Sequence, residues 1–321
     1  MDLTKTEAVA QLNLLGKERH PFSFYCDFLA EKWCIEEAAT EPSQKTFQHK
    51  IGEYNSKCEV RNLTFCKTPL AFSDFQKSFE KVIKEINLGN TFLTNLTFQT
   101  PIKTNLSLDE IYHSSRAKYQ LLVPDRFVVF SPETFVKITG NKIYSYPMKG
   151  TIDAGISNAA VVILKDQKEI AEHVTIVDLI RNDLSRVAND VNVSKFRYTE
   201  IVKTNQKHLL QVSSKISGNL PFDWMQHLGD ILCQLLPAGS VSGAPKPETI
   251  RIIREVESYS RDFYTGICGH FDGRSLDTGV MIRFIKKVNN QLFFCSGGGI
   301  TSFSEAKKEY REMVDKVYLA L

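Results

Sequence analysis

Segments with the alternating pattern of β-strands occur in consecutive groups along this chain, and this grouping is the feature that most restricts its fold. Residues 119–152 form one β-rich stretch. A later group comprises three segments, at 263–271, 277–287 and 291–296, with a turn at Asp272-Gly273. A parallel doubly wound sheet instead requires strands and helices that alternate along the chain. The pattern therefore predicts an α+β fold based on antiparallel sheet.

Apolar periodicity indicates further elements outside these groups. Additional strands are expected at 20–35, 48–68, 91–98 and 212–216. Helices are expected at 73–88, 108–118, 168–189, 224–235, 245–258 and 304–319. Ser73 is the expected N-cap of the first helix, because a serine side chain accepts a hydrogen bond from the free N–H groups of a first turn.

Length and charge restrict the class of protein. A chain of 321 residues is long enough for a sizeable core in one large domain or in two closely joined domains. Its net charge of +3 is small and its lysines and arginines are dispersed, so nucleic acid and membrane surfaces are not indicated as partners. No apolar run approaches the roughly 18 residues that a membrane span needs.

The cysteines indicate a reducing compartment. None of the seven belongs to a Cys-x-x-Cys pair, and an odd, scattered set in a chain of this length is typical of free thiols. They are Cys26, Cys34, Cys58, Cys66, Cys233, Cys268 and Cys295. The first residues, Met1-Asp2-Leu3-Thr4-Lys5, do not resemble a signal peptide. We therefore expect a cytoplasmic protein.

One lysine has a sequence context that suggests chemistry. Lys149 lies in Tyr146-Pro147-Met148-Lys149-Gly150-Thr151, where a strand meets a proline turn and a Gly-Thr pair follows. A lysine side chain is a nucleophile only as the neutral amine, which burial or a nearby cation favours. Lys246 is one candidate for such a cation. We therefore interpret Lys149 as a candidate catalytic residue.

Two pairs of glutamates have the i,i+3 spacing that places both side chains on one face of a helix. They are Glu169 with Glu172, and Glu309 with Glu312. The second pair follows the glycine run 297–299, which we interpret as a loop whose backbone N–H groups bind a carboxylate. If the two pairs converge, their mutual repulsion requires a hard cation, and Mg²⁺ with oxygen ligands fits. A solvated helix surface is the alternative for either pair.

Glu133 is a candidate for proton transfer. It follows the apolar strand 126–130, in the sequence Ser131-Pro132-Glu133. A carboxyl group beside apolar walls has a raised pKa, which suits a general acid. An exposed turn residue is the alternative interpretation.

Together these segments resemble the chorismate-utilising enzymes, a family that comprises the large subunits of anthranilate synthase and aminodeoxychorismate synthase and the isochorismate and salicylate synthases. The matching segments are SPETF (131–135), PMKGT (147–151), AEHVTIVDLIRNDLSRVA (171–188), LPAGSVSGAPKPETIRIIREVE (236–257), YTGICGHF (264–271), IRF (282–284), SGGGIT (296–301) and EYREMVDK (309–316). They follow the family's order over roughly residues 75–321. The resemblance implies a large, mostly antiparallel β-sandwich flanked by helices.

The resemblance also implies the domain organisation. We expect one chorismate-binding domain over residues 1–321, with a shortened β-rich N-terminal part at 1–75 and the catalytic core at 76–321. The N-terminal part lacks the Leu-Leu-Glu-Ser segment of tryptophan-sensing members, so feedback inhibition by tryptophan is not expected. A second departure is Leu93, which stands where many synthases of the family have glutamine and which cannot perform polar work.

Lysine at position 149 is typical of the aminodeoxychorismate synthases in the family, whereas anthranilate synthases typically have alanine there. The resemblance therefore implies that Lys149 attacks C2 of chorismate while Glu133 protonates the departing C4 hydroxyl. Ammonia then attacks C4 and expels the lysine, which gives 4-amino-4-deoxychorismate for p-aminobenzoate and folate synthesis. Such covalent catalysis replaces one difficult displacement by two easier ones.

The family's motifs assign the remaining site residues by resemblance. Glu172 and Glu312 correspond to the principal Mg²⁺ ligands, with Glu169 and Glu309 beside them. The residues that resemble the substrate-binding shell are Gly150, Thr151, Tyr264, Arg283, Gly297, Gly298, Gly299 and Lys316. Arg283 offers a planar fork that suits a carboxylate.

The chain contains no glutaminase signature, since no cysteine lies in a nucleophile elbow. The expected source of ammonia is therefore a separate glutamine amidotransferase subunit. Anthranilate synthase component I and isochorismate or salicylate synthase are the alternative activities within the family. A non-catalytic binding protein that keeps the fold is the alternative from another class.

Overall fold

The computed structural model describes residues 2–38, 45–52, 62–203 and 208–319 of the chain. Its strands are β1 (Leu3–Thr4), β2 (Phe22–Cys26), β3 (Lys32–Glu37), β4 (Gln48–Ile51), β5 (Phe65–Lys67), β6 (Leu93–Thr104), β7 (Tyr119–Val123), β8 (Phe127–Ser131), β9 (Thr134–Thr139), β10 (Lys142–Ser145), β11 (Met148–Asp153), β12 (Asn189–Lys203), β13 (His208–Asn219), β14 (Gly243–Ala244), β15 (Ile267–Phe271), β16 (Ser275–Val280), β17 (Phe284–Val288) and β18 (Gln291–Ile300).

Its helices are α1 (Lys5–Glu18), α2 (Phe72–Asn87), α3 (Leu108–Ser114), α4 (Ala159–Lys165), α5 (Gln167–Leu184), α6 (Leu228–Leu235), α7 (Lys246–Val256) and α8 (Ala306–Asp315). Short 3₁₀ turns cover Trp224–His227 and Gly239–Val241. Within the described residues, no helix is long and apolar enough to cross a membrane.

The strands form two large sheets. In the first sheet the strand order is β1-β3-β2-β15-β16-β9-β10-β13-β11, and β12 also pairs with β13. In the second sheet the order is β14-β6-β18-β17-β8-β7-β4, and β5 also pairs with β6. Every strand pairing within the described ranges is antiparallel. The predicted α+β fold with antiparallel sheet is therefore confirmed.

A hydrophobic core joins the two sheets. Tyr25 and Cys268 contribute to it from the first sheet, and Tyr119, Phe127 and Phe284 from the second. The rings of Phe127 and Phe284 are stacked with their centroids 4.8 Å apart. Burial of one such side chain contributes roughly 1.5–3 kcal/mol. This layer therefore holds the sheets together as a sandwich.

Helices flank both sheets, as the resemblance implies. Leu12 of α1 and Leu228 of α6 are buried in a core that also contains residues of β2 and β3 in the first sheet. Helices α2, α7 and α8 cover the second sheet. Their buried residues in this outer core are Phe75, Phe79, Val82, Ile252 and Met313.

The local sequence explains where two of the helices begin. In α3, Ser107 and Glu110 form a reciprocal capping box. In α2 the predicted cap at Ser73 is wrong, because the helix begins at Phe72 after an N-cap at Ala71. Phe72 packs against the same outer core as the other apolar residues of α2. An N-cap at Ser73 would place Phe72 outside the helix.

The glycine run at 297–299 is not a loop, so that prediction is wrong. The three glycines lie within β18 and pair with residues 95–97 of β6. The pairing continues to Ile300, so the chain remains extended through the run. A Cβ atom on Gly297 would lie 2.3 Å from Leu96 O. Glycine is therefore needed here for close approach of two strands.

Five helices and strands have no counterpart among the predicted ones, namely β1, α1, α4, β12 and β14. Helix α1 opens with a capping box formed by Thr4 and Glu7, within the N-terminal part that was expected to be β-rich. The strand predicted at 48–68 corresponds to β4 and β5, while residues 53–61, including Cys58, lie outside the described residues.

A buried ion pair fixes the segment that leads from α7 to β15. Glu257 and Arg261 are almost completely buried, with their closest atoms 2.6 Å apart. Arg261 also donates to Val241 O at 2.7 Å, and Glu257 accepts a hydrogen bond from Thr97 N–H at 2.9 Å. Thr97 lies opposite Gly297 in the second sheet. The ion pair is therefore hydrogen-bonded to β6, the strand that pairs with the glycine run.

We predict that Glu257→Ala lowers the free energy of unfolding by about 3–5 kcal/mol, because it leaves Arg261 buried without its partner. Glu255→Ala is the matched control. Glu255 pairs with Arg251 at the same i,i+4 spacing and 2.7 Å, but both side chains are exposed. Loss of this exposed ion pair should lower the free energy of unfolding by about 0.5 kcal/mol or less. Urea denaturation measures both values, and equal losses would contradict the prediction.

Candidate active site

One cavity brings together most of the residues that the sequence motifs predict for a site. It has a volume of about 270 Å³ and is walled by both sheets, by α5 and α8, and by the 3₁₀ turn at Gly239–Val241. The predicted residues in its wall are Glu133, Lys149, Gly150, Thr151, Tyr264, Arg283, Gly297, Gly298, Gly299, Glu312 and Lys316. Glu169, Glu172 and Glu309 lie next to residues of the wall. The distant motifs therefore converge in space.

Lys149 projects from a β-bulge. Met148 pairs with Ser213 and Thr151 pairs with Gln211 of β13, so β11 has one extra residue between these two pairs. Gly150 has a φ of +86°, and a Cβ atom on it would lie 2.9 Å from a carboxylate oxygen of α5. Both the backbone conformation and the available space therefore require glycine at this position.

Helix α5 supplies a carboxylate to the Lys149 ammonium group. Lys149 Nζ donates to Glu172 Oε2 at 3.2 Å, and the Glu172 side chain is only 11% exposed. Glu169 lies one turn earlier on the same face, and Asp166 at the N-cap accepts a hydrogen bond from its N–H at 3.0 Å. The first predicted glutamate pair therefore lies at the Lys149 end of the cavity.

The second glutamate pair lies beside the glycine run. A Cβ atom on Gly298 would lie 3.7 Å from Glu309 Oε2 and 3.9 Å from Glu312 Oε1. Lys316 Nζ lies 2.7 Å from Glu312 Oε1 and donates to Gly297 O at 2.8 Å. Because Gly298 has no side chain, space remains next to both carboxylates of α8.

Gly299 connects the two ends of the cavity. A Cβ atom on Gly299 would lie 3.6 Å from Lys149 Nζ and 2.9 Å from Leu93 Cδ1. Leu93 is buried and packs with Ile176 and Leu179 of α5. Leu93 therefore places an apolar side chain near Lys149, next to Gly299. Since Gly298 and Gly299 are consecutive, both glutamate pairs lie near one short stretch of β18.

Glu133 is half-buried in the wall of this cavity. Burial raises the pKa of the Glu133 carboxyl, whereas a hydrogen bond from Ser240 and the charge of Lys149 act in the opposite direction. Ser240 Oγ donates to Glu133 Oε1 at 2.6 Å. A carboxyl with a raised pKa suits proton donation. Ser240 is a site residue that the sequence did not reveal, although it lies in a notable run of small residues, 239–243.

The cavity wall contains three cationic side chains, Lys149, Arg283 and Lys316. Burial lowers the pKa of the Lys316 ammonium group, Glu312 raises it, and the charges of Arg283 and Lys149 lower it further. The Arg283 guanidinium lies over the Tyr318 ring, 5.4 Å from its centroid. This concentration of positive charge suits a ligand that carries more than one negative charge.

Lys246, the candidate cation that the sequence suggests for Lys149, pairs with a carboxylate of α5 instead. Its buried ammonium group lies 2.8 Å from Asp183 Oδ2 and donates to Leu235 O at 2.7 Å. Asp183 is a residue of the cavity wall. Lys316 is instead a cation that lies close enough to Lys149 for their charges to interact, because the charge of Lys149 lowers the pKa of Lys316.

The four glutamates fit a divalent metal ion by their chemistry. Carboxylate oxygens are the ligands of hard cations such as Mg²⁺, and Gly298 leaves space beside two of them. In the described part of the chain, no three His, Cys, Asp or Glu side chains are grouped closely enough to enclose a metal ion. One carboxylate of each pair instead contacts a lysine, at Lys149–Glu172 and Lys316–Glu312. These two ion pairs balance negative charge that a metal ion would otherwise balance.

Comparison with known proteins identifies the family. Residues 16–321 match the family described as chorismate binding enzyme. The chain therefore belongs to the chorismate-utilising enzymes, and the resemblance seen in its motifs is confirmed.

Individual relatives agree with this assignment. The chain is 47% identical over 320 residues to "Uncharacterized PabA-like protein" of Haemophilus influenzae, covering 99% of this chain and 98% of that protein. It is 32% identical over 266 residues to aminodeoxychorismate synthase component 1 of Bacillus subtilis, covering 78% of this chain and 55% of that protein. It is similar in structure to anthranilate synthase component I of Streptococcus pneumoniae, with a TM-score of 0.66 and 27% identity, covering 79% of this chain and 58% of the other.

We predict that Ser240→Ala shifts the alkaline limb of the pH–rate profile to higher pH. The change removes a hydrogen bond that stabilises the ionised form of Glu133, so the pKa of Glu133 rises and the carboxyl stays protonated to higher pH. Single-turnover consumption of chorismate is measured as a function of pH. Ser242→Ala is the control, because Ser242 donates to Ala238 O in the same segment. A shift to lower pH would contradict the prediction.

Proposed function

We propose that this protein is an aminodeoxychorismate synthase component I, which converts chorismate and ammonia to 4-amino-4-deoxychorismate through a covalent intermediate on Lys149. The observation that carries the proposal is the placement of Lys149 Nζ at the cavity, 3.2 Å from Glu172 and close to the glycine run. The same cavity contains Glu133, a carboxyl with a raised pKa. A nucleophile and a proton donor therefore share one site.

In the first step, the neutral amine of Lys149 attacks C2 of chorismate. The nitrogen–C2 bond forms, the ring double bonds shift, and the C4–oxygen bond breaks. Glu133 supplies the proton with which the C4 hydroxyl leaves as water. Lys149 must lose an ammonium proton for this attack, and Glu172 is the adjacent acceptor.

In the second step, ammonia attacks C4 and the double bonds shift back. The bond between Lys149 and C2 breaks, and the departing amine takes up the proton that the ammonia nitrogen loses. The overall change replaces the C4 hydroxyl of chorismate by an amino group and releases water. The two displacements thus use one side chain first as nucleophile and then as leaving group.

The remaining wall residues bind and orient the two carboxylates of chorismate. Arg283 and Lys316 supply positive charge, and Gly298 and Gly299 let a ligand approach the β18 backbone closely. Glu169, Glu172, Glu309 and Glu312 would hold Mg²⁺, whose charge would bind a substrate carboxylate. Tyr264 is buried at the wall, and burial raises the pKa of its phenol, so that it remains a neutral donor.

Ammonia is proposed to come from a separate glutamine amidotransferase subunit. This chain contains no cysteine in a nucleophile elbow. Because the chain lacks this nucleophile, we expect the isolated protein to use ammonium salts but not glutamine.

Anthranilate synthase is the second candidate function, because the chain is 27% identical to a structurally similar protein with that activity. The two activities differ in the carbon that ammonia attacks, C2 for anthranilate and C4 for the aminodeoxy product. Lysine at position 149 supports attack at C4, since a lysine bound at C2 blocks that carbon. Anthranilate is fluorescent, so product analysis separates the two candidates.

We predict that Gly298→Ala and Glu309→Gln each raise the Mg²⁺ concentration needed for half-maximal turnover by about 10-fold or more. The added methyl group would fill the space beside Glu309 and Glu312, and the glutamine removes one negative charge. Glu305→Gln is the control, because Glu305 is exposed at the start of the same helix and pairs with Lys308. Initial rates are measured against Mg²⁺ concentration. Full activity of the parent in EDTA would disprove the metal requirement.

The proposed function is tested by incubating the protein with chorismate and Mg²⁺ in the absence of ammonia. We expect a covalent adduct on the peptide that contains Lys149, with the mass of chorismate minus water, detected by mass spectrometry. Lys149→Ala should lose the adduct and reduce aminodeoxychorismate formation by about 100-fold or more. Lys149→Arg should do no better, because guanidinium remains protonated and cannot attack.

Lys137→Ala is the control for the lysine variants, since Lys137 pairs with Asp277 in the first sheet. Two results together would make Lys149 a binding residue only. One is the absence of adduct in the parent, and the other is near-parental aminodeoxychorismate synthesis by Lys149→Ala.

A further inference from the structure

Arg283 differs from the two lysines of the cavity wall, because no carboxylate within the described residues pairs with it. Lys149 and Lys316 each form an ion pair with a glutamate, at 3.2 and 2.7 Å. The Arg283 guanidinium instead lies over the ring of Tyr318, 5.4 Å from its centroid, and Nε donates to the Tyr318 hydroxyl at 3.4 Å. The charge of Arg283 is therefore available to an anionic ligand. The reaction proposed above gives Tyr318 no role.

The backbone at Arg283 is fixed by the fold. Residues 281–283 connect β16 of the first sheet to β17 of the second. Met281 N–H donates to Gly266 O at 2.8 Å, and Phe130 N–H donates to Arg283 O at 3.1 Å. Arg283 has a φ of +52°, a conformation that residues other than glycine adopt rarely and at a cost in free energy. The hydrogen bonds on both sides therefore hold the backbone in the conformation from which this side chain reaches the cavity wall.

A fixed backbone does not fix the guanidinium, because an arginine side chain has several rotatable bonds. A ligand that binds a mobile side chain must also order it, and this ordering weakens binding. The face of an aromatic ring attracts a guanidinium and so orders it before the ligand arrives. Because only Nε of Arg283 donates to Tyr318, the N–H groups of Nη1 and Nη2 remain for a carboxylate.

Tyr318 is itself held in place by its neighbours in the segment that follows α8. Val317 is buried, and Leu319 packs against the same core. Lys67 Nζ of β5 donates to Val317 O at 3.2 Å. Tyr318 lies between these two core residues but is 44% exposed. The core therefore anchors the backbone of Tyr318, while its ring is left at the surface beside Arg283.

We propose that Tyr318 is a positioning residue that holds the guanidinium of Arg283 in the orientation in which it binds a carboxylate of the substrate. The inference rests on the proposed function, because it takes chorismate as the ligand. Tyr318 forms no bond with the reacting atoms in this arrangement. Its loss should therefore weaken the binding of chorismate and leave the chemical step unchanged.

The first test needs neither substrate nor activity. Phenylglyoxal modifies guanidinium groups, and mass spectrometry measures its rate at Arg283 relative to the exposed Arg254. Tyr318→Leu should raise this ratio several-fold, because no ring then covers the guanidinium of Arg283. Tyr318→Phe keeps the ring and should keep a ratio close to that of the parent. An unchanged ratio in Tyr318→Leu would overturn the proposal.

The second test measures the consumption of chorismate with ammonium chloride and Mg²⁺, whatever the product. Tyr318→Leu should raise the chorismate concentration for half-maximal rate by about 5-fold, since Arg283 must then be ordered on binding. The rate at saturation should stay within about 2-fold of the parent, because the lost contact contributes to binding alone. Phe222→Leu is the matched control, since Phe222 is 91% exposed and lies outside the cavity wall. An unchanged half-maximal concentration in Tyr318→Leu would contradict the positioning role.

A double variant shows whether Tyr318 acts through Arg283. Arg283→Ala should itself raise the half-maximal chorismate concentration by about 10-fold or more, because it removes charged donors from the ligand. Tyr318→Leu should then have no further effect, since no guanidinium remains to be held. The same increase from Tyr318→Leu in both backgrounds would show that Tyr318 does not act through Arg283 and would overturn the proposal.

Failure of this proposal is distinguishable from failure of the proposed function. A parent protein that consumes no chorismate would contradict the proposed function, whereas the phenylglyoxal ratio would still measure the contact between Tyr318 and Arg283. A parent that consumes chorismate, with a Tyr318→Leu variant equal to it in both tests, would contradict the role of Tyr318 alone. Urea denaturation confirms that each variant is folded.

Discussion

The candidate site depends on the bulge at Lys149 and Gly150. One extra residue in β11 interrupts the pairing with β13 and lets Lys149 project into the cavity. The bulge is possible because Gly150 has a positive φ and leaves space for a carboxylate of α5. Helix α5 can therefore approach the strand closely enough for Glu172 to contact the lysine. Without this approach, the first glutamate pair would lie apart from Lys149 and would not share a site with it.

Three lysines at or beside the cavity are paired with carboxylates, and this pairing allows the charges to lie close together. Lys149 contacts Glu172, Lys316 contacts Glu312, and Lys246 contacts Asp183. An isolated buried charge would be strongly destabilising, whereas paired and hydrogen-bonded charges are tolerated. Glu133 differs, because its nearest partner is the neutral hydroxyl of Ser240 and burial raises the pKa of its carboxyl. Burial thus favours the protonated form of Glu133, which is the form that proton donation requires.

Much of this arrangement could be predicted from the sequence, and the rest depends on contacts that no single sequence contains. The grouping of strands predicted the antiparallel α+β fold, and the resemblance to the family's motifs implied eleven residues that line the cavity. The sequence predicts a loop at the glycine run because consecutive glycines can direct their backbone N–H groups at one carboxylate. The close approach of these glycines to β6 and α8 is visible only in three dimensions. Ser240 and Glu133 are 107 residues apart, and Arg283 and Tyr318 are 35 apart. Pairings over such distances leave no periodic signal.

Under the proposed function, a scaffold similar to that of anthranilate synthase would perform a different reaction, because the outcome would depend on what occupies C2 of the ring. The structural similarity to the Streptococcus pneumoniae protein covers 79% of this chain, so the sheets and helices do not by themselves distinguish the two reactions. Lys149 is a residue of the cavity wall, and Leu93 places an apolar side chain nearby, next to Gly299. A polar residue at Leu93 could hold water or ammonia near the same carbon, whereas leucine offers neither a donor nor an acceptor. Under the proposed function, lysine at 149 and leucine at 93 would favour the same outcome, in which the amine of Lys149 occupies C2 and ammonia is left with C4.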